Sequence, residues 1–220
     1  MKINRPKSLT ELVTENLRDR IISGALELGS QLSEARIAKE LNVSRTPVRE
    51  AINRLEIEGL LDVEPQRGSF IFSLDGSELA KLCDARVALE TKALTVAIRE
   101  RPDRLHRELT KCTKRMTSAR AADDVNKYLA EDTIFHQLLF DCADNKFLND
   151  AYQTIAIKMA AIRNRLGRHP EHMAKSYAEH LQLVDAVKVS DTKTALEILR
   201  LHIDRKEGSY WSEVTQESSA

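Results

Sequence analysis

Apolar positions over residues 9–60 recur at helical spacing, and the pattern then changes. Leu61 and Val63 alternate with charged neighbours, and Ser69 to Phe72 forms a second strand-like piece. Pro65 and Gly68 supply turn chemistry between them, which predicts a β-hairpin. After Ser73, Leu74, Asp75 and Gly76 the helical period returns. It predicts six further helices, over about 77–100, 103–120, 123–142, 145–166, 171–189 and 191–212. Pro102 stops the first of these, because the residue before a proline disfavours helical backbone. The pairs Asp123–Asp124 and Asp191–Thr192 mark helix starts, since their side chains can accept from free backbone N–H groups. Short connections imply antiparallel neighbours in a bundle. The expected fold is mostly α, with a domain over residues 1–73, a helical domain over 77–212 and a polar tail over 213–220.

The segment from Ser33 to Leu61 carries the first chemical signal. Ile37, Ala38 and Leu41 form the inner face of a short helix, and Asn42–Val43 makes a tight turn that tolerates unusual φ. Ser44 or Thr46 can cap the next helix, and Pro47 is acceptable in its first turn. Val48, Ala51, Ile52 and Leu55 then face inward. The same register turns Arg45, Thr46, Arg49 and Asn53 outward near the helix start, where a DNA recognition helix presents its reading side chains. Arginine can grip guanine O6 and N7 with two hydrogen bonds, whereas Ser44 and Thr46 suit phosphate contacts that fix register. The hairpin that follows puts Arg67 and Gly68 at its tip, within reach of a minor groove or a phosphate. Helix, turn, capped helix and basic-tipped hairpin together predict a winged helix-turn-helix.

Charge complicates that picture. The 220 residues have no net charge, and residues 1–70 hold eleven Lys+Arg against eleven Asp+Glu. DNA binding must therefore rest on where individual arginines stand. Composition settles less: 5% aromatics and 7 glycines argue against an all-β design. No apolar run is long enough for a membrane helix, and the N-terminus lacks the apolar stretch of a signal peptide, so no membrane partner and a cytoplasmic location are expected. Cys83, Cys112 and Cys142 are few and widely spaced, and read as packed thiols.

A second signal lies in polar residues on apolar stripes. Leu129, Asp132, Thr133, His136 and Phe140 share one face of their helix; Tyr177, His180, Leu181, Val184 and Val187 share another; Ala195, Ile198, Leu199 and His202 a third. Burying one carboxylate and three imidazoles without partners costs roughly several kcal/mol. Meeting around a divalent cation would remove that cost; the set suits zinc first, with nickel or manganese as alternatives. His106, His169 and His172 lie off this pattern and read as surface residues. Arg86 and Glu90 interrupt the stripe of Leu79, Leu82, Cys83, Ala93 and Ala97, either as a buried ion pair or with Arg86 reaching an anionic ligand.

Two resemblances bear on these residues. Ser44 to Ala51, Leu55 to Leu60 and Arg67 to Phe70 resemble the signature of the GntR family of transcription regulators. The resemblance implies a homodimer on a palindromic double-stranded operator, with DNA contact at Ser44, Arg45, Thr46, Arg49 and the wing-tip Gly68. Some members carry a DNA-contacting arginine early in the preceding helix, where Glu34, Ala35 and Arg36 stand here. Asp84 to Glu90, Asp132 to His136, Glu179–His180 and His202 resemble the FCD effector domain of that family's FadR-like branch. This implies a bundle of six or seven helices, metal ligands at Asp132, His136, His180 and His202, and a small carboxylic acid effector held by Arg86. Arg163 is a second candidate effector contact.

The expectation is a repressor whose operator binding depends on a carboxylate effector. A sensor of the metal alone is disfavoured, because a guanidinium beside a cation is repulsive unless an anion lies between. A metal hydrolase is disfavoured too, because no HExxH or other hydrolytic motif occurs.

Overall fold

The computed structural model describes residues 6–166 and 169–203, and the chain divides into one unit up to Ser73 and another from Leu74. In the first unit, α1 (Leu9–Ser23), α2 (Glu34–Glu40) and α3 (Arg45–Ile57) pack beside a small sheet of β1 (Gln31–Leu32), β2 (Leu61–Glu64) and β3 (Gly68–Ile71). Ser8 opens α1 with a capping box closed by Glu11, and Gly24 ends it in the left-handed region at φ 81°. Val13, Leu17 and Ile21 of α1 meet Val48, Ile52 and Leu55 of α3 in a dry core. The helical fold and the hairpin agree with the sequence reading. The sheet differs in having three antiparallel strands in the order β1-β3-β2, with Gln31 opposite Phe70 and Leu61 opposite Ile71. A strand of two residues has no period of its own. It exists because β3 offers it an edge.

The second unit is helical throughout its described residues: α4 (Gly76–Glu100), α5 (Pro102–Ala121), α6 (Val125–Ala143), α7 (Lys146–Leu166), α8 (Pro170–Lys188) and α9 (Thr192–Ile203). Asp75 and Glu78 form a capping box on α4, Pro102 occupies the first turn of α5, and the Asp124 carboxylate accepts from the Lys127 N–H. The helix expected to run to residue 212 is described as far as Ile203; the rest of it, and the tail over 213–220, lie outside the described residues. Helix α6 is central and packs on α4, α5 and α7. It buries Tyr128, Leu129, Asp132, Phe135, His136, Leu139 and Phe140, which is more than the single stripe expected of it. The stripe expected on α8 is rotated: Ser176, His180, Leu183, Val184 and Val187 are buried, whereas Leu181 is 39% exposed and Tyr177 turns outward to the Thr117 hydroxyl. Cys83, Cys112 and Cys142 are buried and form no disulfide among the described residues, as packed thiols should.

Leu139 is fully buried on α6, while Ile134 on the same helix is 41% exposed. Leu139→Ala is expected to destabilise the chain by about 2–5 kcal/mol. Ile134→Ala should change stability by no more than about 0.5 kcal/mol. Urea midpoints followed by circular dichroism check the contrast.

Candidate functional site

Two chemically distinct sites stand out, one in each unit. In the first, α3 presents Arg45, Thr46 and Arg49 on its exposed side, after a turn in which Asn42 takes φ 52°. Ser44 occupies the N-cap position, yet its hydroxyl makes no capping hydrogen bond. Arg49 is tied to α2: its Nε and Nη2 donate to the Glu34 carboxylate at 3.4 and 3.0 Å. At the wing tip Gln66 and Gly68 both have positive φ, and Gln31 Nε2 donates to the Arg67 carbonyl at 2.8 Å. A Cβ on Gly68 would sit 2.9 Å from that amide nitrogen, a contact the flexible Gln31 side chain can relieve, so it is the backbone at φ 116° that calls for glycine. Arg67 pairs with Glu64 across the turn and remains 71% exposed.

In the second unit the polar residues of four helices converge. His136 of α6, His180 of α8 and His202 of α9 bring ligand nitrogens within 4.8 Å of one another. Asp132, one turn before His136, stands beside them, its Oδ1 3.6 Å from His180 Nε2. Hydrogen bonds fix two of the ring tautomers. His136 Nδ1 donates to Glu90 at 2.7 Å and His202 Nδ1 donates to Glu179 at 2.9 Å, because a carboxylate oxygen can only accept. Both Nε2 atoms are then bare in the neutral rings, and they face each other at 3.2 Å. Arg86 Nη2 donates to His136 Nε2 at 2.8 Å, while its Nε bonds Glu90 at 2.5 Å.

Arg86 forms the buried ion pair with Glu90, and it also lines a cavity. The cavity is partly open to solvent, and Asp132, Arg163 and His202 share its wall with Arg86. Arg163 reaches Asp132 Oδ2 at 3.3 Å. Among the described residues, Asp132 Oδ2, Arg163 Nε and Nη1, and both ring nitrogens of His180 are buried without a hydrogen bond. Tyr128, His172 and Ser176 also line this cavity. His172 thus corrects the expectation of a surface histidine. The four-residue spacing of Tyr128, Asp132 and His136, and of His172, Ser176 and His180, was the signal that could have found these residues. The orienting roles of Glu90 and Glu179 carried no such signal, because each depends on a partner from another helix.

Burial shapes the titration of this cluster. It pushes His180 down to about 3, with His202 and Arg163 adding to it, and holds His136 well below its ordinary value, where Arg86 adds to it. Burial pushes the Asp132 carboxyl up, but the Arg163 guanidinium and the His136, His180 and His202 imidazoles together overcome it and hold the carboxyl below the usual carboxylate range. Likewise burial works against the Arg86 charge, but Glu90, Tyr152 and Asp132 together overcome it and raise Arg86 above its ordinary value. The buried imidazoles are neutral in the folded chain, while those of the unfolded chain take up protons near pH 6.5. Acid therefore favours unfolding, and the stability present above about pH 6.5 is lost progressively as pH falls towards 3. The urea midpoint of chelator-treated protein should drop between pH 7.5 and 5, and His180→Asn should flatten that drop.

Residues 81–205 match the FCD domain family, and residues 9–71 match the family described as bacterial regulatory proteins, gntR family. The gluconate operon transcriptional repressor of Bacillus subtilis (strain 168) is 27% identical over 197 residues, which cover 87% of this chain and 81% of that protein. An HTH-type transcriptional regulator from an unstable DNA locus of Streptomyces ambofaciens is 30% identical over 85% of this chain and 78% of its own length. The HTH-type transcriptional repressor RspR of Escherichia coli (strain K12) is 23% identical over 96% of both chains. Among solved structures, E. coli McbR/YncC matches with a TM-score of 0.77 at 21% identity, over 97% of this chain and 100% of its own. A GntR transcriptional regulator from Rhodococcus sp. RHA1 matches at 0.78 and 20% identity, over 96% and 99%. Both share the fold. Among the described residues, no helix is long and apolar enough to cross a membrane.

Proposed function

Because this chain belongs to the GntR family of bacterial regulatory proteins and carries an FCD domain, it is a DNA-binding transcription regulator, and we propose that it is an effector-controlled repressor. It binds a palindromic operator as a homodimer, and a small carboxylic acid acting at a divalent metal centre adjusts that binding. Its relatives are regulators rather than enzymes, two of them named as repressors, so the hydrolase alternative is dropped. Ser44, Arg45, Thr46, Arg49, Arg67 and Gly68 supply the operator contacts, and two-fold symmetry pairs one recognition helix with each half-site.

The observation that carries the metal reading is the pair of bare Nε2 atoms, 3.2 Å apart, on rings whose protons are turned to Glu90 and Glu179. Two nitrogens on a tetrahedral zinc ion stand about 3.3 Å apart at the usual Zn–N distance. His180 brings a third ligand nitrogen within 4.8 Å of the other two, and Asp132, paired with Arg163, stands beside them as a fourth candidate. Asp132, His136, His180 and His202 would hold it, zinc first and nickel or manganese next. Bound there, the ion would supply a positive charge for a carboxylate oxygen.

The remaining residues favour an anion beside that charge. Arg86 and Glu90 neutralise each other, as do Arg163 and Asp132, so a divalent ion leaves the pocket with an excess of positive charge. Once His136 Nε2 is engaged, Arg86 Nη2 is released from it and faces the cavity. An effector carboxylate would meet Arg86 there, with Arg163 on the opposite wall. Operator affinity changes only as far as the acid distinguishes the DNA-competent state from the incompetent one.

Calorimetry of chelator-treated protein with zinc, nickel and manganese should find one ion per chain, and His202→Ala should weaken uptake at least about tenfold. Absence of uptake for all three would end the metal reading. Carboxylates, gluconate among them, are then screened by thermal shift on loaded protein; an acid at about 100 times its Kd adds about 2.7 kcal/mol of stability. Arg86→Lys should shrink that gain. If metal alone changes operator affinity and no acid does, the protein senses the metal itself.

A further inference from the structure

We propose that Glu34 is a specificity-determining residue of the DNA-reading surface, which holds Arg49 side-on so that the guanidinium reads guanine rather than phosphate. The inference rests on α3 being the recognition helix and goes beyond it to a residue on a different helix. A guanidinium carries five N–H donors along its edges. Glu34 occupies the Nε/Nη2 edge, with contacts of 3.4 and 3.0 Å. The end-on Nη1/Nη2 edge keeps two parallel N–H groups, which is the pattern that guanine O6 and N7 accept. Arg49 is 65% exposed and Glu34 31%, so the pair stands at the surface where a groove can reach it.

Charge gives the pair its second effect. A lone arginine is drawn to any phosphate and releases counterions wherever it binds. A carboxylate at hydrogen-bond distance cancels most of that attraction and repels the phosphate directly. It leaves the hydrogen bonds to a base intact. Arg67 at the wing tip is paired in the same manner with Glu64. The pairing of Arg49 also removes side-chain freedom before DNA arrives, which lowers the ordering cost on binding.

The test uses the full-length chain and duplexes selected by the wild type from a randomised library, with a scrambled duplex of equal length as the non-specific probe. Wild type, Glu34→Ala, Glu34→Gln, Arg49→Ala and the Glu34/Arg49 double variant are compared by sequencing of selected pools and by anisotropy across a salt series. Circular dichroism confirms that each variant is folded. Glu34→Ala is expected to lose about tenfold of the guanine preference at one position per half-site, the position that Arg49→Ala also loses. It should bind the scrambled duplex more tightly, with a salt slope steeper by about one per chain. The double variant should discriminate no worse than Arg49→Ala, and Glu34→Gln, which keeps one acceptor, should recover part of the preference. If Glu34→Ala and Glu34→Gln keep the wild-type preference and slope while Arg49→Ala loses the guanine, the role of Glu34 is overturned and the recognition helix stands. If Arg49→Ala also reads as wild type, both fall.

Discussion

Charged and polar side chains buried at the centre of the second unit are the constraint its helices are arranged around. Arg86, Glu90, Asp132, His136, Arg163 and His180 are each 7% exposed or less. Taken one at a time, such groups would cost several kcal/mol each to bury. Their neighbours remove most of that cost: Glu90 faces both Arg86 and His136, Asp132 faces Arg163, and Glu179 holds His202. A well-packed apolar core of equal volume would be as stable or more so, by about 1–4 kcal/mol in comparable buried networks. Stability therefore does not account for the cluster. The cluster instead brings two imidazole nitrogens to 3.2 Å of each other and leaves other buried nitrogens and an oxygen without hydrogen bonds. A folded chain tolerates that arrangement when something binds there.

Much of this was legible in the sequence because it lies on single helices. Asp132 and His136, and Arg86 and Glu90, are four residues apart, so their shared faces follow from helical geometry alone. The six helices of the second unit were legible for the same reason, and their ends because Asp75, Pro102, Asp124 and Asp191 carry capping or breaking chemistry. What was not legible depends on other elements. Strand β1 is two residues long and takes its conformation from β3. On α8 the expected His180, Val184 and Val187 are buried, but Tyr177 and Leu181 give way to Ser176 and Leu183, because either set fits the apolar period. Only packing against α5 and α9 decides between them. His172 was read as a surface residue because its spacing to Ser176 and His180 becomes a signal only once the buried face of α8 is known. The tautomers of His136 and His202 are set by Glu90 and Glu179 across helix boundaries, beyond any local pattern.

The neutral composition, which at first counts against DNA binding, has a physical explanation in these pairs. Basic residues meant for non-specific attraction would stand unpaired and give the first unit a positive excess. Here two of the arginines proposed to contact DNA come with carboxylates: Glu34 beside Arg49, Glu64 beside Arg67. In the second unit carboxylates do the corresponding work for imidazoles and for Arg86. In both places the acid leaves its partner's hydrogen-bonding capacity in place, fixes its orientation and removes its long-range field. A surface built this way is drawn weakly to DNA in general. It must rely on contacts whose geometry is right, so the affinity it gains is concentrated in sequence-dependent hydrogen bonds. Zero net charge then reflects, in part, groups such as Arg49, Arg67, Arg86 and His202 that are held by acids, and the trade is attraction for selectivity.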